Sequence, residues 1–444
     1  MRTWALGAAS GIAAVAALAA AMADGQTINV ERPRSLVVGT PRGGARTERV
    51  DAWRTGMSRT PLPTSGLRRE WTATVVGIQL ERGPLVDARE TTYVVGTRGD
   101  VVALGRDGVE RWRVPTSITG APGPAALLSD DTLVFVSGSV DWAEAIGVRD
   151  AKLRWRTRFG RAAAVFPAPL ALDDGGVVVA TTRDLAILDG EGHLRARITL
   201  PEATTAPLVS ALGKVTLVTE SGAVWSWAPG AAEPAQVANF GAPIDRGAAL
   251  ADDHTLVAVT AGRARLSAVD LLRGTVTVRA ALRSDVWLGP PAMNAATAYL
   301  SLMAPAGEYA VAIDATGAEL GRALLPGHAR AASPDAGVDA RLRDAHTAPL
   351  VDAAGTLVYG AADGSVGVVA PDRRGAGGTG TWGGSVEVVA QACPPFVGSA
   401  DRSLPPVVGL APLAPGVFVA ACHSGTVIAL KGAPSVVHAG TRSP

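Results

Sequence analysis

The chain has 444 residues, 48% of them hydrophobic and only 18% charged, a balance that supports a large buried core and excludes wholesale disorder. The formal charge of +1 argues against nucleic acid as a partner, which would need clustered Lys and Arg. Lys152, Lys214 and Lys431 are the only lysines, a bias that reads as genomic composition and not as a binding signal.

The first element carries Arg2, an Ala-rich apolar stretch from Ala5 to Met22, and Ala21-Met22-Ala23 before Asp24. This pattern is that of a secretory signal peptide over 1–23, cleaved after Ala23. It places the mature chain in the periplasm or outside the cell, with no transmembrane domain after cleavage. The alternative is a retained anchor, which the weak hydrophobicity of Ala and Gly disfavours. No cysteine stands near the cleavage site to take a lipid. Residues 24–65 read as an extended lead-in whose arginines 42, 45, 49, 54 and 59 are solvated.

From there a short Pro- or Ala-centred apolar patch returns eight times. It stands at Gly83 to Val86, Gly123 to Leu128, Ala168 to Leu172 and Ala206 to Val209, then at Gly247 to Leu250, Pro290 to Met293, Ala348 to Val351 and Pro405 to Val408. A turn and a β-branched run follow each patch, the first from Thr91 to Thr97 and the last from Gly416 to Cys422. Asp and Gly mark many of the turns, as in Asp173-Asp174-Gly175, because both suit tight reversals. A second turn and strand come next, clearest in Arg98-Gly99-Asp100-Val101-Val102. Gly-x-x-x-Trp closes the unit at Gly108 to Trp112 and Gly378 to Trp382, with Ala151 to Trp155 as a variant. Ala196, Val278 and Gly321 hold the tryptophan's place in other copies.

Four strands in roughly 40 residues make one propeller blade. The fold class is therefore all-β, an eight-bladed β-propeller of four-stranded blades over about 66–433, with a tail at 434–444. Trp71 lies one period before Trp112 yet precedes the first patch. Its strand is expected to be the outer strand of the last blade, closing the ring near Val427 to Leu430 and removing exposed sheet edges.

The link from each tryptophan position to the next patch measures 11 to 14 residues in five cases, such as Trp71 to Pro84 and Ala196 to Pro207. Gly321 to Pro349 spans 28 and Trp382 to Pro406 spans 24. These insertions, at about 323–345 and 388–404, stand in adjacent blades and on one face. Insertions on one face of a repeat protein often build its binding surface, though a surface loop also tolerates added length at small entropic cost. The candidate binding rim is His328, Arg330, Asp335, Asp339, Arg341, Arg343 and Asp344 with Asp401 and Arg402. Its His and carboxylates match no zinc or calcium spacing, so solvated loop is favoured over metal site. Cys393, in the second insertion, and Cys422, at a strand end, fall on the same face of a blade. Export permits them to form a disulfide; the alternative is two free thiols.

Gly375 to Gly380 spells G-x-G-x-x-G, but Thr381-Trp382 leads to a strand and not to the helix that a dinucleotide needs. Arg98-Gly99-Asp100 falls in a turn that every blade owns. No G-x-S-x-G or H-E-x-x-H is present, and six scattered His form no nucleophile–base group.

The combination of P-L-V, a β run, D-G or G-D, A-L and G-x-x-x-W resembles the PQQ-like repeat of quinoprotein-type propellers. The lead-in Asp51-Ala52-Trp53-Arg54-Thr55-Gly56, with Leu62-Pro63 and Glu70-Trp71, is similar to the entry into that family's first repeat. The resemblance covers about 50–432 and implies one of two things. Non-catalytic members scaffold outer-membrane protein assembly; catalytic members are dehydrogenases holding PQQ and Ca²⁺ in the funnel, many with an adjacent-cysteine disulfide. No such cysteine pair exists here. The expectation is an exported, non-catalytic, monomeric propeller without cofactor, binding an envelope protein or polymer through the inserted rim. A PQQ-dependent oxidoreductase and a purely structural surface propeller are the alternatives.

Overall fold

The computed structural model describes residues 55–435, apart from the longer stretches 116–121, 160–167, 326–347, 372–381 and 395–404 and some shorter ones. Eight antiparallel sheets form an eight-bladed β-propeller. Blade 1 consists of Leu85–Val86, Thr92–Val95, Asp100–Leu104 and Glu110–Pro115, from the inner strand outward. Blades 2 to 5 repeat it, ending in the outer strands Leu153–Arg158, Leu194–Thr199, Ala235–Asn239 and Thr275–Ala281.

The middle strands of the blades are mainly apolar on both faces, as in Leu133, Val134, Phe135 and Val136, all fully buried. They show no period of two because both faces of a blade pack on neighbours. The outer strands meet water and alternate instead: Arg111 and Arg113 are exposed on either side of half-buried Trp112. Among the described residues the core divides into eight clusters, and each lies between two adjacent blades. Leu85, Tyr93 and Val101 of blade 1 pack on Leu127, Leu133 and Phe135 of blade 2. Val86, Val94 and Val102, on the other face of blade 1, pack on Val419, Val427 and Ala429 of blade 8. The apolar core thus continues across the seam where the chain's two ends meet.

Three blades depart from the simple repeat. In blade 6 the inner position is held by two pieces, Val286–Trp287 and Ala292–Asn294, both paired with Thr297–Ala304. The patch at Pro290 to Met293 announces only the second. Blade 7 (Leu350–Asp352, Leu357–Gly360, Val366–Ala370 and Ser385–Val389) gains a fifth strand, Met57–Ser58, parallel to its inner one. Blade 8 takes Val407–Ala414, Val417–Cys422 and Thr426–Pro434 from the C-terminal end and Pro63–Thr74 from the N-terminal end. In that last pairing Trp71 lies opposite Ala429 and Ala73 opposite Val427.

Three outer strands lean through a tryptophan on the third turn of the next blade. The Trp71 indole Nε1 donates to Arg106 O at 2.7 Å, Trp112 to Val148 O at 2.9 Å and Trp155 to Gly190 O at 2.8 Å. Trp71 does this across the seam, from blade 8 to blade 1. Trp382 behaves otherwise: it precedes its outer strand, and its indole donates to Gly355 O at 2.9 Å within its own blade. Its ring meets Tyr299 of blade 6 edge-on at 5.5 Å. The outer strand of blade 7 begins only at Ser385, three residues beyond the tryptophan that the repeat assigns to it.

Candidate functional site

Strand direction sorts the connections onto two faces. The links between blades and the second turn of each blade share one face; the first and third turns share the other. The blade 7–8 junction is fastened on both.

On the link face Val417–Cys422 runs as a buried β strand and ends at the His423-Ser424-Gly425 turn, where Gly425 has φ +84°. Cys422 is bonded to Cys393, with Cα atoms 5.6 Å apart. Both cysteines are fully buried. Cys393 N donates to Gly364 O at 2.9 Å, which seats the segment after blade 7 on that blade's own second turn. Gly364 is required there: its φ is +74°, and a Cβ would lie 2.8 Å from Pro405 O and 2.9 Å from Cys393 Cβ. The same face carries the seam to blade 1. Leu80 N donates to His423 O at 3.2 Å, and the His423 ring Nδ1 lies 2.8 Å from Leu80 O.

On the opposite face the centre is Asp352, 1% exposed. Its Oδ1 accepts Ala354 N at 3.0 Å and Thr356 N at 2.9 Å, capping the first turn of blade 7. Its Oδ2 accepts Leu62 N at 2.9 Å and the Ser435 hydroxyl. Ser435 N donates back to Leu62 O at 2.8 Å. One carboxylate therefore holds a turn, the incoming N-terminal segment and the outgoing C-terminal segment. Asp87 of blade 1 caps its turn in the same way, through Arg89 N and Thr91 N, but spends its second oxygen on the Tyr93 hydroxyl at 2.9 Å. Burial first, and then the Asp87 charge, hold the Tyr93 phenol neutral well above its ordinary range.

The segment 55–62 approaches Asp352 from the axial side. Val351 N donates to Gly56 O at 2.9 Å and Met293 N to Thr55 O at 2.7 Å, so the lead-in lines the inner strands of blades 6 and 7. Gly56 has φ +67°, and a Cβ there would meet Pro349 O at 2.6 Å. The sequence pattern gives 24–65 only as an extended lead-in, with no strand at Met57–Ser58. Pro-Leu-Val-Asp occurs twice, at 84–87 and 349–352, and marks the capped first turn in both, while only the second copy reaches the lead-in.

The rim residues His328, Arg330, Asp335, Asp339, Arg341, Arg343, Asp344, Asp401 and Arg402 lie outside the described residues, as does the signal segment 1–23. What is described is where their loops are rooted: Leu325, buried, on one side of the first insertion, and the Cys393 staple at the start of the second. Among the described residues no three His, Cys, Asp or Glu gather where they could hold a metal ion. The carboxylates of Asp87 and Asp352, at the ends of the inner strands of blades 1 and 7, take their donors from the protein itself. No helix among the described residues is long and apolar enough to cross a membrane.

No family model matches the sequence, and no curated protein matches it. Solved structures do share the fold. BamB from Moraxella catarrhalis is similar at 16% identity, over 84% of this chain and 100% of that one, with a TM-score of 0.57. The computationally designed Ika8 protein is similar at 13% identity, over 82% and 100%, with a TM-score of 0.59. The quinohemoprotein alcohol dehydrogenase ADHIIG from Pseudomonas putida HK5 is similar at 11% identity, over 92% and 84%, also at 0.59. At these identities the likeness is one of fold, shared by BamB and by quinoprotein alcohol dehydrogenases.

Proposed function

We propose that this protein is an exported, non-catalytic propeller that binds a protein or polymer of the cell envelope through the two insertions on its link face. The observation that carries the reading is the treatment of the axis at blade 7. A quinone enzyme of this fold works from an open funnel, whereas here the chain's own strand Met57–Ser58 pairs along the axial edge of Leu350–Asp352. The nearest inner-strand carboxylate, Asp352, is consumed in holding that segment. The opposite face is equipped differently: it combines a disulfide anchor with the long links of adjacent blades, a firm base for loops that contact a partner. The fold shared with BamB and the resemblance to envelope assembly propellers support the same class of partner.

Two measurements test this. Incubation with PQQ and Ca²⁺ should leave the absorbance of the repurified protein unchanged; retained cofactor with alcohol oxidation would replace the proposal by the oxidoreductase reading. Tagged chain recovered from envelope fractions should bring down a partner that is lost when residues 326–345 are removed. Unchanged recovery would reject the rim.

A further inference from the structure

The outer strand of every blade presents an unpaired edge to solvent, and most of these edges are blunted by charge. Arg68 and Arg69 stand on blade 8, Arg111 and Arg113 on blade 1, Arg154, Arg156 and Arg158 on blade 2, and Arg195 and Arg197 on blade 3. Many pair with a carboxylate of their own blade, as Arg154 does with Asp150 at 2.9 Å and Arg195 with Asp174. Blades 6 and 7 carry Glu319, Arg322 and Glu387. The blade 4 edge, Ala235–Asn239, has no charge but is short and holds Gln236 and Asn239.

Blade 5 stands apart. Its edge, Thr275–Ala281, reads TVTVRAA, has its first four residues exposed, and carries one charge, Arg279. Val278 is 50% exposed, Val276 38%, and Leu272 in the preceding turn 65%. Leu320 and Leu324 extend the apolar strip onto the outer strand of blade 6, whose Gly317 turn abuts Arg279 O. Among the described residues this is where the exposed large hydrophobics concentrate. Its first four residues, Thr275 to Val278, form a β-branched, charge-free stretch of about 14 Å, at ~3.4 Å per residue, that is exposed among the described residues, a template for another strand.

We propose that this edge pairs with the same edge of a second copy, antiparallel, about a two-fold axis. Charge selects that occupant. With the axis at Thr277 or at Val278, Arg279 falls opposite a threonine in either register, and no like charges meet. The same operation on blade 2 would set Arg154 against Arg156 or Arg158, and on blade 3 Arg195 against Arg197 or itself. A strand pair alone falls short of the ~1,200 Å² that a stable interface buries, and Leu272, Leu320 and Leu324 widen the contact.

The test uses the chain's lack of free thiols among its described residues. In the exported chain, Val278→Cys (axis at Val278) or Thr277→Cys (axis at Thr277) should give a covalent dimer with diamide, two thiols being oxidised to one disulfide as diamide is reduced to its hydrazine. Leu153→Cys, equally exposed on blade 2, should not. Sedimentation velocity should show a concentration-dependent dimer that the Val276→Lys/Val278→Lys variant loses, with its thermal melt unchanged. A wild-type chain that stays monomeric at about 100 µM overturns the proposal. So does a dimer that survives the two lysines, equal cross-linking at Leu153→Cys, or an edge that captures only an extended peptide.

Discussion

The backbone N–H of Leu62 is hydrogen-bonded to the Asp352 carboxylate at 2.9 Å, across 290 residues of sequence. This contact, with the Ser435 hydroxyl on the same oxygen, joins both ends of the ring to blade 7. Closure by strand pairing alone would leave the seam open to fraying from either terminus; a buried carboxylate shared between them couples the two.

Asp352→Ala should therefore cost about 2–4 kcal/mol, because it leaves the buried Leu62 N–H and the Ser435 hydroxyl without an acceptor and uncaps a turn. Asp87→Ala removes the equivalent cap on blade 1 but touches neither terminus, so about 1–2 kcal/mol is expected. Urea midpoints measure both. Hydrogen exchange should quicken at the Leu62 and Ser435 amides only in the Asp352 variant; equal effects in the two variants would mean that Asp352 is merely a turn cap.

The outer-strand packing makes a second distinction. Gly108 and Gly192 have φ +76° and +83°, and a Cβ would press to 2.6 and 2.5 Å from the Trp71 and Trp155 rings. Gly241 has φ +72° with nothing within 4 Å. Alanine at Gly241 should cost only the left-handed backbone term, about 1 kcal/mol, while alanine at Gly108 or Gly192 should cost about 2–3 kcal/mol because a ring must also move. Ala151 holds φ +56° at the matching turn of blade 2, so Ala151→Gly should stabilise by about 0.5–1 kcal/mol. Differential scanning calorimetry would rank all four.

Much of the ring was legible because a blade is a local unit: the patch, the turn residues and the Gly-x-x-x-Trp period lie within roughly 40 residues. The pairing of Trp71's strand with Thr426–Pro434 followed from that period alone. Met57–Ser58 was not legible, since a two-residue strand bonded to residues almost 300 positions away leaves no periodic trace. Trp382 misled for a related reason. A Gly-x-x-x-Trp match fixes spacing, not docking, and this indole finds Gly355 O and Tyr299 before its strand begins. For the candidate site, the two cysteines could be placed from strand order, but the carboxylate clasp depends on side chains meeting across the seam.

Acid should loosen the blades through one recurrent aspartate. Asp107, Asp150, Asp270 and Asp314 open the third turns of blades 1, 2, 5 and 6. All four are held below the ordinary carboxylate range, the first three mainly by a backbone N–H two or three residues on (Val109, Lys152 and Arg273) and Asp314 mainly by the Thr316 hydroxyl. A folded-state pKa below the unfolded value, ~3.9, gives stability that is complete above about pH 4 to 5 and is lost as pH falls through the depressed folded value. Thermal midpoints should be flat down to about pH 5 and drop below pH 4. Replacing all four by Asn keeps an acceptor for each turn but removes the titration, so the drop should become shallower. A profile identical to wild type would exclude these groups as its source.

The disulfide should matter for the junction more than for the ring as a whole. Cys393 and Cys422 close a loop with a sequence separation of 29, which in the chain-entropy picture is worth about 3–4 kcal/mol. Reduction, or the double change Cys393→Ala/Cys422→Ala, should lower the urea midpoint by that amount. The Cys393 amide should exchange faster, because the segment loses its covalent tie to blade 8 and is held by its bond to Gly364 O and by packing. Amides of blades 2 to 4, whose packing clusters contain neither cysteine, should keep their relative order of protection. If reduction left the midpoint and the Cys393 amide unaltered, Gly364 and the link-face backbone would suffice to seat the second insertion. A uniform loss across all blades would instead mean that the junction unfolds only together with the whole ring.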